Sequence, residues 1–230
     1  MRKPARKRKG FAYLSALAKD ERSSSEGPMT GKVQKKREDL RARLIDIAEE
    51  RIKTDGIAGL RARDLAKEAG CAVGAIYNVF GDMNDLIMAV NARTFKRVGA
   101  QVSKAVAAQP PGHPVNSMIA MSHAYLHFAR DNTPAWRTLF DLEVSTEEKV
   151  PAWYLEELQN VFSLIADPLV RIFPDMSEED VNLMTRGLFS SVHGIVLLGL
   201  EKRISGVPID KLEHMISLVF NHLTSTPSEK

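Results

Sequence analysis

With 230 residues, 44% of them hydrophobic, the chain can bury a full core as one large domain or two modest ones. One cysteine excludes an internal disulfide and suits a reducing cytoplasm; no uninterrupted apolar run reaches the roughly 18 residues of a membrane span, and the basic start lacks a signal peptide's apolar middle. The net charge of +3 is unevenly spread: residues 1–82 hold 19 Lys/Arg against 12 Asp/Glu, and residues 83–230 hold 13 against 17. A basic first third beside an acidic remainder suits a phosphate-facing module joined to a differently employed domain. Six of the first nine residues are Lys or Arg, however, and residues 38–82 alone carry 7 basic against 9 acidic side chains. Positive charge therefore serves phosphate binding only through that tail or through individually placed arginines.

Residues 1–31 read as a disordered basic arm, Ser-rich at Ser23–Ser25 and broken at Gly27-Pro28, with a transient helical turn near residues 11–18. Such an arm either reaches the minor groove, neutralises phosphates without reading sequence, or is a solvated tail. A translation start at Met29 would shorten it. The first helix is predicted over residues 33–54, where Leu40, Leu44, Ile47, Ala48 and Ile52 make one apolar face and Asp55-Gly56 ends it. Lys35, Lys36 and Arg37 sit in its first turns, unfavourably placed for the helix dipole unless a phosphate lies nearby. Surface solvation is the plainer alternative.

Residues 59–80, GLRARDLAKEAGCAVGAIYNVF, decide the function. Leu65, Ala66 and Ala69 share a face of a helix over 61–69; Gly70 stops it; Val73, Ile76, Tyr77 and Phe80 begin a second apolar set over 72–79. Two short helices around a three-residue glycine turn form the helix-turn-helix pattern, whose second helix enters the DNA major groove. With Ile76 and Phe80 inward, Val73, Gly74, Ala75, Tyr77 and Asn78 are left for the groove. Val73 and Ala75 suit thymine methyl groups, and Asn78 alone can pair bidentately with adenine, so the half-site should lean to A·T. Cys71 is a packing residue of the turn, with no neighbouring cation to activate its thiol.

Leu65-Ala66, Ala69-Gly70, Gly74, Ile76-Tyr77 and Phe80 resemble the signature of the TetR family of regulators, with correct spacing from about Arg37 to Leu86. The resemblance implies that Tyr77 contacts a phosphate, that the 61–69 helix lies across the backbone with Arg61 and Arg63 near it, and that a two-fold dimer forms through a four-helix bundle. Departures are Arg61 in place of a Ser or Thr cap, Ala72 in place of the capping Ser, Val79 in place of a His or Tyr, and Met83 in place of a Lys. Each lost cap costs about 0.5–2 kcal/mol of helix stability. The missing polar groups touch affinity more than fold.

Asp82, with Asp85 three residues on, should cap a long helix running to about Ala107. QPPGHP at 109–114 is a loop, and five further helices are predicted over 115–131, 134–143, 152–173, 177–203 and 208–224, with Pro168 kinking or breaking the third and Ser177 capping the fourth. Residues 125–143 and the SVHG at 191–194 resemble the TetR ligand-domain variant with a Trp-His-Gly motif, Val192 standing where its Trp would be. Tyr125, Phe128, Trp136, Phe140, Trp153 and Phe162 are candidate pocket aromatics, with His127 or His193 as a polar handle. A plain helical core explains the same spacing. Small residues at Gly187, Ser190, Ser191, Gly194 and Gly199 admit a close helix. Leu188, Ser191, Ile195 and Leu198 with Leu212, Ile216, Val219 and Phe220 are the candidate dimer interface.

No metal-ligand spacing, nucleophile elbow or phosphate loop appears, so neither enzyme, metal nor cofactor is expected. The expectation is an all-α protein: a disordered arm (1–31), a three-helix helix-turn-helix DNA-binding head (32–82), a helical ligand-binding and dimerisation domain (83–225) and a disordered tail (226–230). It would be a cytoplasmic, nucleoid-associated homodimer on a near-palindromic DNA operator, repressing until an unidentified small-molecule effector releases it. A TetR-like adaptor with weakened DNA binding is the alternative.

Overall fold

The computed structural model describes residues 31–142, 150–201 and 207–223. The expected arm and tail, and the predicted helix ends at Glu143, Arg203 and Thr224, lie outside the described residues. Among those described there are nine α-helices and no strand. They are α1 (Gly31–Asp55), α2 (Ala62–Ala69), α3 (Val73–Val79), α4 (Met83–Ala107), α5 (Pro114–Asp131), α6 (Thr133–Asp141), α7 (Ala152–Ile172), α8 (Glu178–Leu200) and α9 (Leu212–Leu223). Short 3-10 turns at Ile57–Gly59 and Ile209–Lys211 complete the connections.

The boundaries follow from local chemistry. Gly56 turns the chain after α1 at φ 66°, a left-handed value that suits glycine. Asp82 caps α4 by accepting the Asp85 amide at 2.8 Å, and Ser177 caps α8 by accepting the Asp180 amide at 3.1 Å. Pro114 and Pro134 occupy first-turn positions of α5 and α6, where a missing N–H is harmless. Of the expected kink or break, the break does not occur: α7 runs unbroken to Ile172 with Pro168 buried inside it. Tertiary packing of Ala166, Pro168 and Leu169 holds a turn that proline alone would weaken.

Two apolar cores organise these helices. The head core joins Leu44, Ala48 and Ile52 of α1 to Leu65 and Ala69 of α2, Ile76 of α3 and Phe80, then continues into α4 at Leu86, Ala89 and Val90. It does not stop at residue 82. It also takes in Ala135 of α6. The next residue, Trp136, is wholly buried in the body core with Tyr125, Phe128, Leu169, Val192, Val196, Leu212, Ile216 and Phe220. Helix α6 therefore belongs to both cores at once. Arg93 and Arg97 of α4 reinforce the junction with ion pairs to Asp46 and Glu49 of α1 at 2.6–2.8 Å.

Helix α8 is unusual in a different way. Its most apolar 18-residue window has a mean hydropathy of 1.4, enough by length and composition to cross a membrane, yet only 22% of that window is buried. Leu183, Met184 and Leu198 stand open on its surface.

Candidate nucleic-acid interface and ligand cavity

The turn between α2 and α3 is built on Gly70, in the left-handed region at φ 67° and ψ 39°. The Cys71 amide donates to the Ala66 carbonyl at 2.9 Å and the Gly70 amide to that of Lys67 at 3.3 Å, a Schellman closure that ends α2 and redirects the chain at once. Arg43 of α1 donates to the Ala69 carbonyl at 2.9 Å, and Arg51 bonds Glu68 at 2.9 and 3.1 Å, so α1 grips α2 at both points. Helix α3 is anchored by Ile76, fully buried, and by Phe80 just beyond its end, over which the Arg41 guanidinium lies 5.2 Å from the ring centre.

With that face buried, Val73, Gly74, Tyr77 and Asn78 are exposed and Ala75 is half-buried. Tyr77 is 45% exposed. Arg61 and Arg63 are exposed at the start of α2, and Lys35 and Lys36 are exposed on α1. Arg37 is half-buried and interacts within the chain. Because α1 is already helical at Gly31, Lys35 to Arg37 lie beyond its first turn, where the dipole penalty invoked from sequence has faded. Neither Arg61 nor Ala72 supplies a side-chain cap.

In the body, a cavity of about 60 Å³ lies among α4, α5, α7, α8 and α9, lined by residues including Val102, Met118, Met121, Leu164, Phe189 and Phe220. Of the aromatics and histidines expected there, Tyr125 lines it and the others do not. His127 is drawn to the surface by Glu213, 2.5 Å away, whose carboxyl its hydrogen bond holds below the usual range. Phe128 and Trp136 are core residues. Phe140 and Trp153 are exposed by 42% and 39%. Trp153 borders a different concavity, between α1, α4 and α7, with Arg41, Arg93 and Lys96.

Phe162 and His193 belong instead to an aromatic cluster beside the cavity. Phe189 stands at its centre, 5.2 Å from Phe162, 5.6 Å from His193 and 5.9 Å from Tyr125, ring centre to ring centre. Sequence reasoning missed Phe189, although its place one helical turn before His193 on α8 was a usable signal. Phe140 packs 4.2 Å from the imidazole. Trp136 Nε1–H donates to the Tyr125 hydroxyl at 2.8 Å, and His193 Nδ1 lies 2.9 Å from the same oxygen. Indole only donates, so the Tyr125 oxygen accepts from Trp136, and the His193 tautomer sets which way the second bond runs. Burial in the cluster pushes the imidazole's pKa down, and burial also pushes up the Tyr125 phenol.

The expected interface residues divide. Leu212, Ile216 and Phe220 are nearly inaccessible because they are buried in the body core of their own chain, so they cannot meet a partner. Val219 is half-buried. On α8, Ser191 and Leu198 are exposed, while Leu188 and Ile195 are half-buried against the body core.

The sequence from residue 44 to 90 matches the family profile described as bacterial regulatory proteins, tetR family, and residues 118–221 match the tetracyclin repressor-like C-terminal domain. The chain belongs to the TetR family. Both halves of a TetR-type transcriptional regulator, the DNA-binding head and the helical ligand-domain fold, are thus present in order. Solved structures share the fold at low identity. A protein of unknown function from Rhodococcus sp. RHA1 is 23% identical, with 87% of this chain and 97% of that one covered at a TM-score of 0.62. RolR, solved in complex with resorcinol, is 18% identical, covering 85% and 92% at 0.64. A putative TetR-family regulator from Rhodococcus sp. is 20% identical, covering 82% and 100% at 0.57. No curated protein is significantly similar in sequence.

Proposed function

We propose that this TetR-family regulator is a homodimeric repressor that binds a near-palindromic operator and is released when a small molecule enters the body cavity. One observation carries the DNA-binding part. Ile76 and Phe80 fix α3 to the head core while Val73, Gly74, Tyr77 and Asn78 are left bare on the opposite side. A short helix held so rigidly, with polar and methyl-bearing groups outward, suits a major groove. Arg61, Arg63, Lys35 and Lys36 then take phosphates.

For the dimer, the exposed face of α8 runs through Leu183, Gly187, Ser191 and Leu198, with Met184 beside it. Large apolar groups separated by small ones let a second copy's helix approach closely, which explains why so apolar a helix is so little buried in one protomer. Half-buried Leu188 and Ile195 flank that face, and Leu218 of α9, 43% exposed, extends it.

For release, α6 is the connecting part. Trp136 reaches the cavity wall through Tyr125, while Ala135 sits in the head core one residue away. A ligand that displaces Tyr125 therefore favours a different pose of the head, a shift between two populations. RolR, with its bound resorcinol, shows a similar fold holding a small aromatic molecule. The adaptor alternative rests on Ala72, Val79 and Met83, which stand where the family has a Ser, a His or Tyr, and a Lys, and on the uncapped start of α3 at Ala72. A mobility-shift titration on DNA upstream of the protein's own gene, repeated across salt concentrations, separates the two. Sequence-specific retention that weakens steeply with salt supports the repressor, and retention that is weak and indifferent to sequence supports the adaptor.

A further inference from the structure

We infer that the occupant of the body cavity is an uncharged, mainly hydrocarbon molecule, smaller than a drug-sized ligand. This rests on the effector reading above and adds the ligand's chemical class. None of the thirteen residues lining the cavity is Lys, Arg, His, Asp or Glu. Ser122 and Tyr125 bring the only side-chain oxygens to the wall, and both are already hydrogen-bonded within the protein. The Ser122 hydroxyl donates to the Met118 carbonyl at 2.8 Å, and the Tyr125 hydroxyl accepts from Trp136 and is hydrogen-bonded to His193 Nδ1 at 2.9 Å. No cationic side chain lines the wall to meet an anion, and no carboxylate lines it to meet a cation. A charged group entering here would lose its water with nothing in return, which burial penalises heavily.

The wall also sets the size. About 60 Å³ is far below the roughly 300–1,000 Å³ of pockets that hold drug-sized ligands, so entry requires the wall to give. Met118 and Met121 can give, being unbranched and flexible, and both lie on α5 in the same face as Tyr125. Opening there moves that helix against α7 and α8. Larger ligands would have to part the core cluster itself.

Calorimetric titration of the full-length protein with p-cresol, 1-naphthol, 4-methylbenzoate and 4-methylbenzylammonium tests this without DNA. The neutral pair should bind with a negative heat-capacity change, and the charged pair at least ten-fold more weakly. Leu164→Trp and Val102→Phe, each checked for helicity by circular dichroism, fill the cavity from two sides and should weaken p-cresol at least ten-fold. Trp153→Phe, in the separate concavity, should leave it unchanged. Equal or tighter binding of the charged probes, unaltered binding to folded cavity-filling variants, or no binding of either neutral probe at millimolar concentration overturns the inference. Operator binding is measured separately, so a failure here leaves the DNA-binding part standing, and the reverse also holds.

Discussion

Removing Arg63 should change how DNA affinity depends on salt by a calculable amount. Lys35, Lys36, Arg61 and Arg63 are the exposed candidate phosphate ligands of each protomer, eight in a two-fold dimer. Each neutralised phosphate contributes about −0.9 to the slope of log K against log salt, giving a slope of about −7 for the wild type. Arg63→Ala removes two cations per dimer and should flatten that slope by about 1.8. Between 50 and 200 mM salt, the variant should then lose about twelve-fold less affinity than the wild type does. Fluorescence anisotropy on a labelled operator, at five or more salt concentrations, reads this directly. Lys104→Ala, at the far end of α4, is the control and should leave the slope alone. Tyr77→Phe removes a hydroxyl but no charge, so its line should stay parallel to the wild type's and lie lower, by about 1.5 kcal/mol per half-site. An Arg63→Ala slope equal to the wild type's would mean α2 does not lie along the DNA backbone, and the orientation proposed for the head would fail with it.

Gly70→Ala meets no atom within 4 Å at the new Cβ, so its cost is the left-handed backbone alone, about 1–2 kcal/mol, read as a lower urea midpoint at constant m-value. His193 gives a pH signature. Because burial lowers its folded-state pKa, the unfolded chain takes up the proton first, and stability should fall as pH drops below about 6.5 until the folded value is passed. Comparing Tm from pH 7.5 to 5 for the wild type and His193→Asn should show a shallower acid decline in the variant; parallel curves would remove His193 from the account. Leu183→Glu with Leu198→Glu places charge on the open face of α8 and should yield a monomer by light scattering with helicity retained. A persistent dimer would relocate the interface.

The head was legible because its signals are local. The spacing of Leu65, Ala66 and Ala69, the glycine at 70 and the anchors Ile76 and Phe80 lie within one short stretch, and each acts through neighbours a turn away. The body was legible as helices but not as a site. Leu212, Ile216 and Phe220 announce an apolar stripe, yet a stripe says only that something covers it; here the cover is the body core of the same chain, α5 and α8 included. Trp136 and Phe128 look like pocket aromatics for the same reason that they make good core, and His127 left the pocket because Glu213, 86 positions away, reached it. The cavity wall of Val, Leu and Met carries no local mark of its purpose. Its shape exists only once α4, α5, α7, α8 and α9 have met.

Adjacent residues Ala135 and Trp136 sit in separate cores, and that bears on how the protein can be taken apart. Cutting the chain after residue 82 or even 90 would strip the head of a piece that arrives forty-five residues later in sequence. A transplant of this reader onto a foreign sensor should therefore succeed only if the α6 segment travels with it, or if the recipient offers an alanine-sized peg at the same spot.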